Sequence, residues 1–332
     1  MPDRVDDGRR RFLRSAAAMM TAARLGLPAK LDASHAPVAL AEADPLPREL
    51  AAIAAAAEWL NSPRLTAADL TGQVVLVDFW TYTCINWLRT LPYVRAWSQK
   101  YPRLRVIGVH APEFPFEHNV DNVRRSLRQM NIDYPVVIDN GYSVWRAFNN
   151  QYWPALYLID AKGKLRHHQF GEGEYERTET TIQRLLTDAG ASLNGTQAAG
   201  SGTQSARSGT QAAKDMVRVE GGGLEAPADW SSLRSPENYV GYDRMERFAS
   251  SGGARQDQPH VYSAPRRLSL NEWALTGEWT IGKQAAVLKG ASGRIAYRFH
   301  SRDLHLVMSP PRQGPIRYRV SIDAQPPGAA RG

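Results

Sequence analysis

The chain has 332 residues, 43% of them apolar, which is typical of about two folding units that each bury a core. Its only cysteine is Cys84, so this chain alone cannot form an internal disulfide framework or a zinc or iron–sulfur site built from several cysteines. The formal net charge of +8 arises from dispersed Lys and Arg residues, and we therefore predict no nucleic-acid partner.

The N-terminal 41 residues are predicted to be an export signal. Arg9 and Arg10 precede Phe12 and Leu13, and a stretch of small, weakly apolar residues follows. This pattern resembles a twin-arginine signal with a small-residue cleavage site that ends at Ala41. The resemblance implies recognition by the twin-arginine export machinery, a periplasmic or other extracytoplasmic location, and no membrane span after cleavage. A frayed basic N-terminus or a short surface helix is the alternative.

Residues 42–188 alternate between strand-like and helix-like patterns, which predicts an α/β sandwich with a central mixed sheet. The run at 73–80 is apolar without alternation and therefore predicts a strand that is buried on both faces. The other predicted strands are 104–109, 134–138, 155–159 and 165–170, and the predicted helices are 48–60, 84–100, 120–130, 143–149 and 176–188.

Residues 189–214 have the composition of a flexible linker. They are rich in Ala, Ser and Gly and repeat Gly-Thr-Gln three times, in units too short to be structural elements. The following residues, 215–332, contain short strand patterns separated by Gly and Pro turns and predict a β-sandwich. Its strands are predicted at 273–281, 293–299, 304–308 and 316–322.

Cys84 directly follows the buried strand and begins a predicted helix. The unpaired N–H groups and the positive dipole end at a helix start favour a thiolate, so we predict a lowered pKa and a nucleophilic role. The alternative is a buried cysteine that packs as a small hydrophobic residue.

Five separate motifs between residues 59 and 186 support a family assignment. They are Val-Asp-Phe-Trp at 77–80, Pro92 eight residues after Cys84, the loop 109–117, Trp153-Pro154 before a strand, and 170–175. With these motifs the chain resembles the thioredoxin superfamily, specifically the extracytoplasmic TlpA/DipZ-like redoxins. The resemblance implies thiol-disulfide exchange with protein or small-molecule thiols and disulfides, and it implies no cofactor.

The resemblance also implies roles for individual residues. Pro154 would be cis and would bring the preceding backbone beside Cys84, where an extended peptide can pair as an added strand. Asp78 matches a buried acid that is linked to proton transfer. An apolar rim for substrate would be formed by Trp80, Tyr82, Trp87 and Trp153.

The chain departs from the family at the position of the second active-site cysteine. The motif Cys84-Ile85-Asn86-Trp87 has Trp87 there, so no thiol of this chain can resolve a mixed disulfide on Cys84. Single-thiol exchange is the first hypothesis, and Asp78 then has either a catalytic or a structural role. A binding or chaperone-like protein without turnover is the second hypothesis. A one-cysteine peroxidase is a lesser one, because Val77 stands where that motif has Pro.

Two further expectations concern metals and the C-terminal part. The residues His110, Glu113, Glu117 and His118 match no common ligand spacing, and we predict no metal site. Motifs at 235–242, 277–279 and 297–307 resemble the domain that follows the redoxin domain in DipZ-like proteins, which looks like a carbohydrate-binding module. That domain continues into further strands in such proteins, so we expect the sandwich here to be incomplete, with an exposed edge.

Overall fold

The computed structural model describes residues 46–190, 216–310 and 314–328. The predicted signal at 1–41 and the linker residues 191–214 lie outside these ranges. All of the described residues belong to one compact unit. Within the described ranges, no helix combines the length and apolar character that a membrane crossing requires.

A six-stranded mixed sheet forms the centre of the first module and confirms the predicted fold class. The strand order is β1-β4-β3-β2-β5-β6, with β2, β3 and β4 parallel and the remaining pairings antiparallel. The strands are β1 (Trp59–Leu60), β2 (Val74–Trp80), β3 (Leu104–His110), β4 (Val136–Ile138), β5 (Ala155–Ile159) and β6 (Leu165–Phe170).

Helices cover both faces of this sheet. They are α1 (Arg48–Ala55), α2 (Ala67–Leu70), α3 (Ile85–Lys100), α4 (Val120–Gln129), α5 (Ser143–Ala147) and α6 (Tyr175–Asp188). Alternate residues of β2 point to opposite faces, so Leu76 and Trp80 pack in one cluster with α3, α4 and α6, whereas Val77 and Phe79 pack in the other with α1 and α5. All seven residues of β2 are buried, as the uninterrupted apolar run predicts.

The first predicted helix is shorter than the sequence indicates. It ends at Ala55 instead of Leu60, and Trp59 and Leu60 pair with β4 as an added edge strand. Trp59 and Leu60 are not helical, because their pairing with β4 outweighs the weak local preference of this segment for a helix.

The second module contains one antiparallel sheet among the described residues. Its strands are β7 (Pro259–Tyr262), β8 (Trp273–Ile281) and β9 (Ala286–Tyr297), in that order. The buried cluster of this module consists of Tyr262, Trp273, Leu275, Trp279 and Ile281.

This sheet is smaller than the predicted sandwich. The strand at 273–281 is confirmed and the one at 293–299 is the end of the longer β9, but 304–308 and 316–322 are not strands. Their apolar side chains are exposed, with Tyr318 at 69%. Apolar alternation predicts a half-buried strand only where a partner strand is present, and the described residues supply none here beyond an isolated bridge at Ile322.

Candidate functional site

Cys84 is the N-cap residue of α3, as the sequence predicts. Its backbone N–H donates to the carbonyl of Thr81 at 3.2 Å, and its carbonyl accepts the N–H of Leu88 at 3.0 Å. The backbone N–H groups of Asn86 and Trp87 interact with the sulfur and lower the pKa of the thiol. The turn after β2 therefore holds the sulfur over the open end of the helix.

The peptide bond between Trp153 and Pro154 is cis, which confirms the expectation from the resemblance. Since β5 pairs with β2 up to the register of Ala155 with Phe79, the start of β5 lies beside the turn that carries Cys84. Cys84 Sγ lies 3.8 Å from the carbonyl oxygen of Trp153. The indole N–H of Trp153 donates to the carbonyl of Ala111 at 2.9 Å, which fixes the ring.

The predicted lowering of the Cys84 pKa is wrong. Burial, together with the carboxylates of Glu113 and Glu237, raises the pKa of this thiol to about 12. The backbone N–H groups of α3 act in the opposite direction but are outweighed. A helix start favours a thiolate only where the sulfur is also solvated or faces positive charge.

Trp87, at the position of the missing second cysteine, is fully buried. It stacks on Trp80 with ring centroids 4.4 Å apart, and its indole N–H donates to Asp78 Oδ2 at 3.0 Å. Burial raises the pKa of Asp78 to about 7, although the hydrogen bonds from Trp87 and Tyr134 lower it. Trp80 and Trp87 are thus core residues, and the prediction that they form a substrate rim is corrected, because α3 packs Trp87 directly onto Trp80 of β2.

The other two predicted rim residues, Tyr82 and Trp153, are partly exposed. Tyr82 stacks on His110 with ring centroids 5.7 Å apart, and its hydroxyl donates to the carbonyl of Phe116 at 3.2 Å. Both aromatic rings lie next to the turn that carries Cys84, and they remain candidates for substrate contact.

Glu117 organises the loop after β3. Its buried carboxylate accepts the hydroxyl of Thr83 at 2.5 Å and the backbone N–H groups of Glu113 and Phe114 at 2.6 and 2.8 Å. His110 is also buried, which lowers its pKa to about 3. Across 46–190, 216–310 and 314–328, no three His, Cys, Asp or Glu residues are arranged to hold an ion.

The C-terminal module contributes side chains next to Cys84 that sequence reasoning missed. The side-chain amide of Asn86 donates to Glu237 at 2.8 Å, and Glu113 accepts from the Tyr239 hydroxyl at 3.0 Å and pairs with Arg244 at 2.8 Å. The partners are more than 120 residues apart. The motif at 235–242 carried the family resemblance, but nothing in the sequence indicated what it contacts.

Comparison with known proteins gives two family matches. A family described as "Thioredoxin-like" matches residues 72–165, and one described as "Thioredoxin like C-terminal domain" matches residues 235–332.

Two curated relatives and one solved structure illustrate the similarity. Protein DipZ of Mycobacterium tuberculosis is 36% identical over 257 residues, which are 75% of this chain and 33% of DipZ, so the chain spans about a third of that relative. Thiol-disulfide oxidoreductase YkuV of Bacillus subtilis is 30% identical over 132 residues, 39% of this chain and 88% of YkuV. A solution structure of "a Thioredoxin-like Protein in the Oxidized Form" is 28% identical, covers 39% of this chain and 88% of its own, and has a TM-score of 0.36.

Proposed function

The chain belongs to the thioredoxin-like redoxins of the TlpA/DipZ type, and from this premise we propose that it is a thiol-disulfide oxidoreductase that acts through one thiol, Cys84. One contact carries the proposal: the sulfur lies 3.8 Å from the Trp153 carbonyl, directly before cis-Pro154. An extended peptide that pairs with this backbone brings its own disulfide to the sulfur.

The exchange needs no second cysteine in this chain. The Cys84 thiolate attacks one sulfur of a partner disulfide, the partner S–S bond breaks, and the leaving thiolate takes up a proton from solvent. A thiolate of the partner, or an external small thiol, then attacks the mixed disulfide and releases Cys84 as a thiolate. Trp87 has no sulfur, so this second attack comes from outside the chain.

The environment of Cys84 makes this exchange slow in the free protein. With a pKa of about 12, about one thiol in a hundred thousand is ionised at pH 7. The same scarcity of thiolate disfavours peroxidase chemistry, in which the thiolate is the group that is oxidised. Binding of a partner that displaces the neighbouring carboxylates would raise the thiolate fraction.

The raised pKa favours a second candidate function. A protein that has cis-Pro154 beside Cys84 but rarely forms a thiolate can bind extended, oxidised polypeptides without turnover. For either function we propose a location outside the inner membrane, supported by the predicted signal around Arg9 and Arg10.

The test is formation of a mixed disulfide between the reduced protein and hydroxyethyl disulfide, followed by mass spectrometry, with Cys84→Ser as the control. We expect the adduct on Cys84, at a rate that rises about tenfold per pH unit from neutral to mildly alkaline pH, because the thiolate fraction rises by that factor. Absence of the adduct throughout this range would overturn the proposal. Binding of an oxidised, unfolded polypeptide by the Cys84→Ser variant would then support the second candidate.

A further inference from the structure

Residues 237–244 of the C-terminal module, here called the strap, are anchored to the redoxin domain on both sides of Cys84. On one side, Glu237 accepts the amide of Asn86, two residues after the cysteine. On the other side, Tyr239 and Arg244 bind Glu113 in the loop after β3.

The second anchor is tied to the residue before Cys84. Glu117 accepts the N–H of Glu113 and the hydroxyl of Thr83, so the loop and the active-site turn are held together. The strap therefore binds Asn86, two residues after the cysteine, and a loop that is tied to Thr83, the residue immediately before it. The carboxylates of Glu113 and Glu237 both raise the pKa of the thiol, in addition to the effect of burial.

The strap side of the second anchor faces solvent. Arg244 is half-exposed, so solvent weakens its ion pair, although the Glu113 side chain is only 13% exposed. The Arg244 guanidinium lies 3.6 Å from the centroid of the Tyr239 ring, so these two side chains form one unit on Glu113. Loss of Glu113 as a partner would release both of them together.

We infer that the strap is an inhibitory contact, which limits access to Cys84 and must leave Glu113 before a polypeptide disulfide can reach the sulfur. The role of the polypeptide disulfide rests on the proposed function, whereas the limit on access does not. The strap thereby links the C-terminal module to the reactivity of the redoxin domain.

The test compares two reagents that share one reactive group, N-ethylmaleimide and a maleimide that carries a long polyethylene glycol chain. A change in thiolate fraction multiplies both rates by the same factor, so the ratio of the large-reagent rate to the small-reagent rate reports access alone. The full chain is used as wild type and as Tyr239→Ala/Arg244→Ala. Glu113→Ala is a second variant that removes the same anchor from the redoxin side.

Two variants serve as matched controls. Glu237→Gln removes a charge near the sulfur but keeps an oxygen that accepts the amide of Asn86. Asp243→Asn changes a residue of the strap that pairs with Lys283 of its own module. We expect the rate ratio to rise at least about threefold in the released variants and to stay unchanged in both controls.

A rise of less than threefold in the released variants would overturn the inference, and so would an equal rise in Asp243→Asn. If the double variant does not fold, Glu113→Ala is judged by the same criterion. A released variant that reacts with both maleimides but forms no mixed disulfide with hydroxyethyl disulfide would refute the proposed exchange, whereas the inference that the strap limits access would still stand.

Discussion

Replacement of Asp78 by asparagine is expected to remove a large pH-dependent loss of stability. The carboxyl is fully buried, and its pKa is about 7 in the folded protein against an ordinary value of 3.8. Between these two values the unfolded chain has lost the proton while the folded protein still holds it. The stability of the wild type therefore falls as pH rises from about 4 to about 7, and the contribution is constant above that range.

The magnitude follows from the size of the pKa shift. About three units at roughly 1.4 kcal/mol each correspond to a loss of about 4 kcal/mol across this range. The amide in the Asp78→Asn variant cannot ionise, and its oxygen can still accept the indole N–H of Trp87. The variant is thus expected to become more stable relative to wild type as pH rises, by an amount on the order of 4 kcal/mol.

The assay is urea unfolding followed by tryptophan fluorescence from about pH 4 to about pH 8, read as the difference between variant and wild type. Asp160→Asn is the control, because hydrogen bonds from Lys164, Arg166 and Lys162 lower the pKa of Asp160 despite its burial. A lowered pKa changes the stability only at and below the ordinary value of 3.8, so the difference for Asp160→Asn is expected to stay nearly constant from about pH 4 to about pH 8. A difference for Asp78→Asn that does not change with pH would refute the raised pKa.

Three further predictions concern the core and the signal. Trp87→Cys, which restores the family motif, is expected to lower the free energy of unfolding by about 3–5 kcal/mol because it empties a fully buried site. Trp230→Cys, at a side chain that is 62% exposed, should change that free energy by less than about 0.5 kcal/mol. Equal effects of the two variants in chemical denaturation would contradict this expectation. Gly108→Ala is expected to cost about 1–3 kcal/mol, because a Cβ there would lie 2.9 Å from the indole nitrogen of Trp80, and an unchanged melting curve would show that the strand shifts freely. Arg9→Lys/Arg10→Lys is expected to block export, so that cell fractionation finds the full-length precursor on the cytoplasmic side of the inner membrane. Undiminished export would disprove the predicted twin-arginine signal.

The redoxin fold could be predicted because its determinants are local. The uninterrupted apolar run of β2 predicts a strand with both faces covered, and the start of α3 at Cys84 follows from the change to helical spacing. The C-terminal strands were harder to predict. The alternation of apolar and polar residues in 304–308 and 316–322 is compatible with a strand, but it does not show whether a partner strand is present.

The errors at the site have a common cause, which is tertiary packing that residue spacing alone does not show. The thiol pKa depends on Glu237, 153 positions from Cys84, and on how deeply the sulfur is buried. The burial of Trp87 depends on its stacking with Trp80 and on its bond to Asp78. Neither relation leaves a pattern in the local sequence. The sequence alone does not distinguish an aromatic residue that lines a substrate site from one that packs in the core.

The stacked indoles of Trp80 and Trp87 couple position 87 to the rest of the core. Trp87 fills the space between α3 and β2 and donates to Asp78, while Gly108 leaves room for the indole of Trp80. A two-cysteine version of this domain therefore needs several simultaneous changes, because a cysteine at position 87 has to be accompanied by residues that refill the volume of the indole and satisfy Asp78.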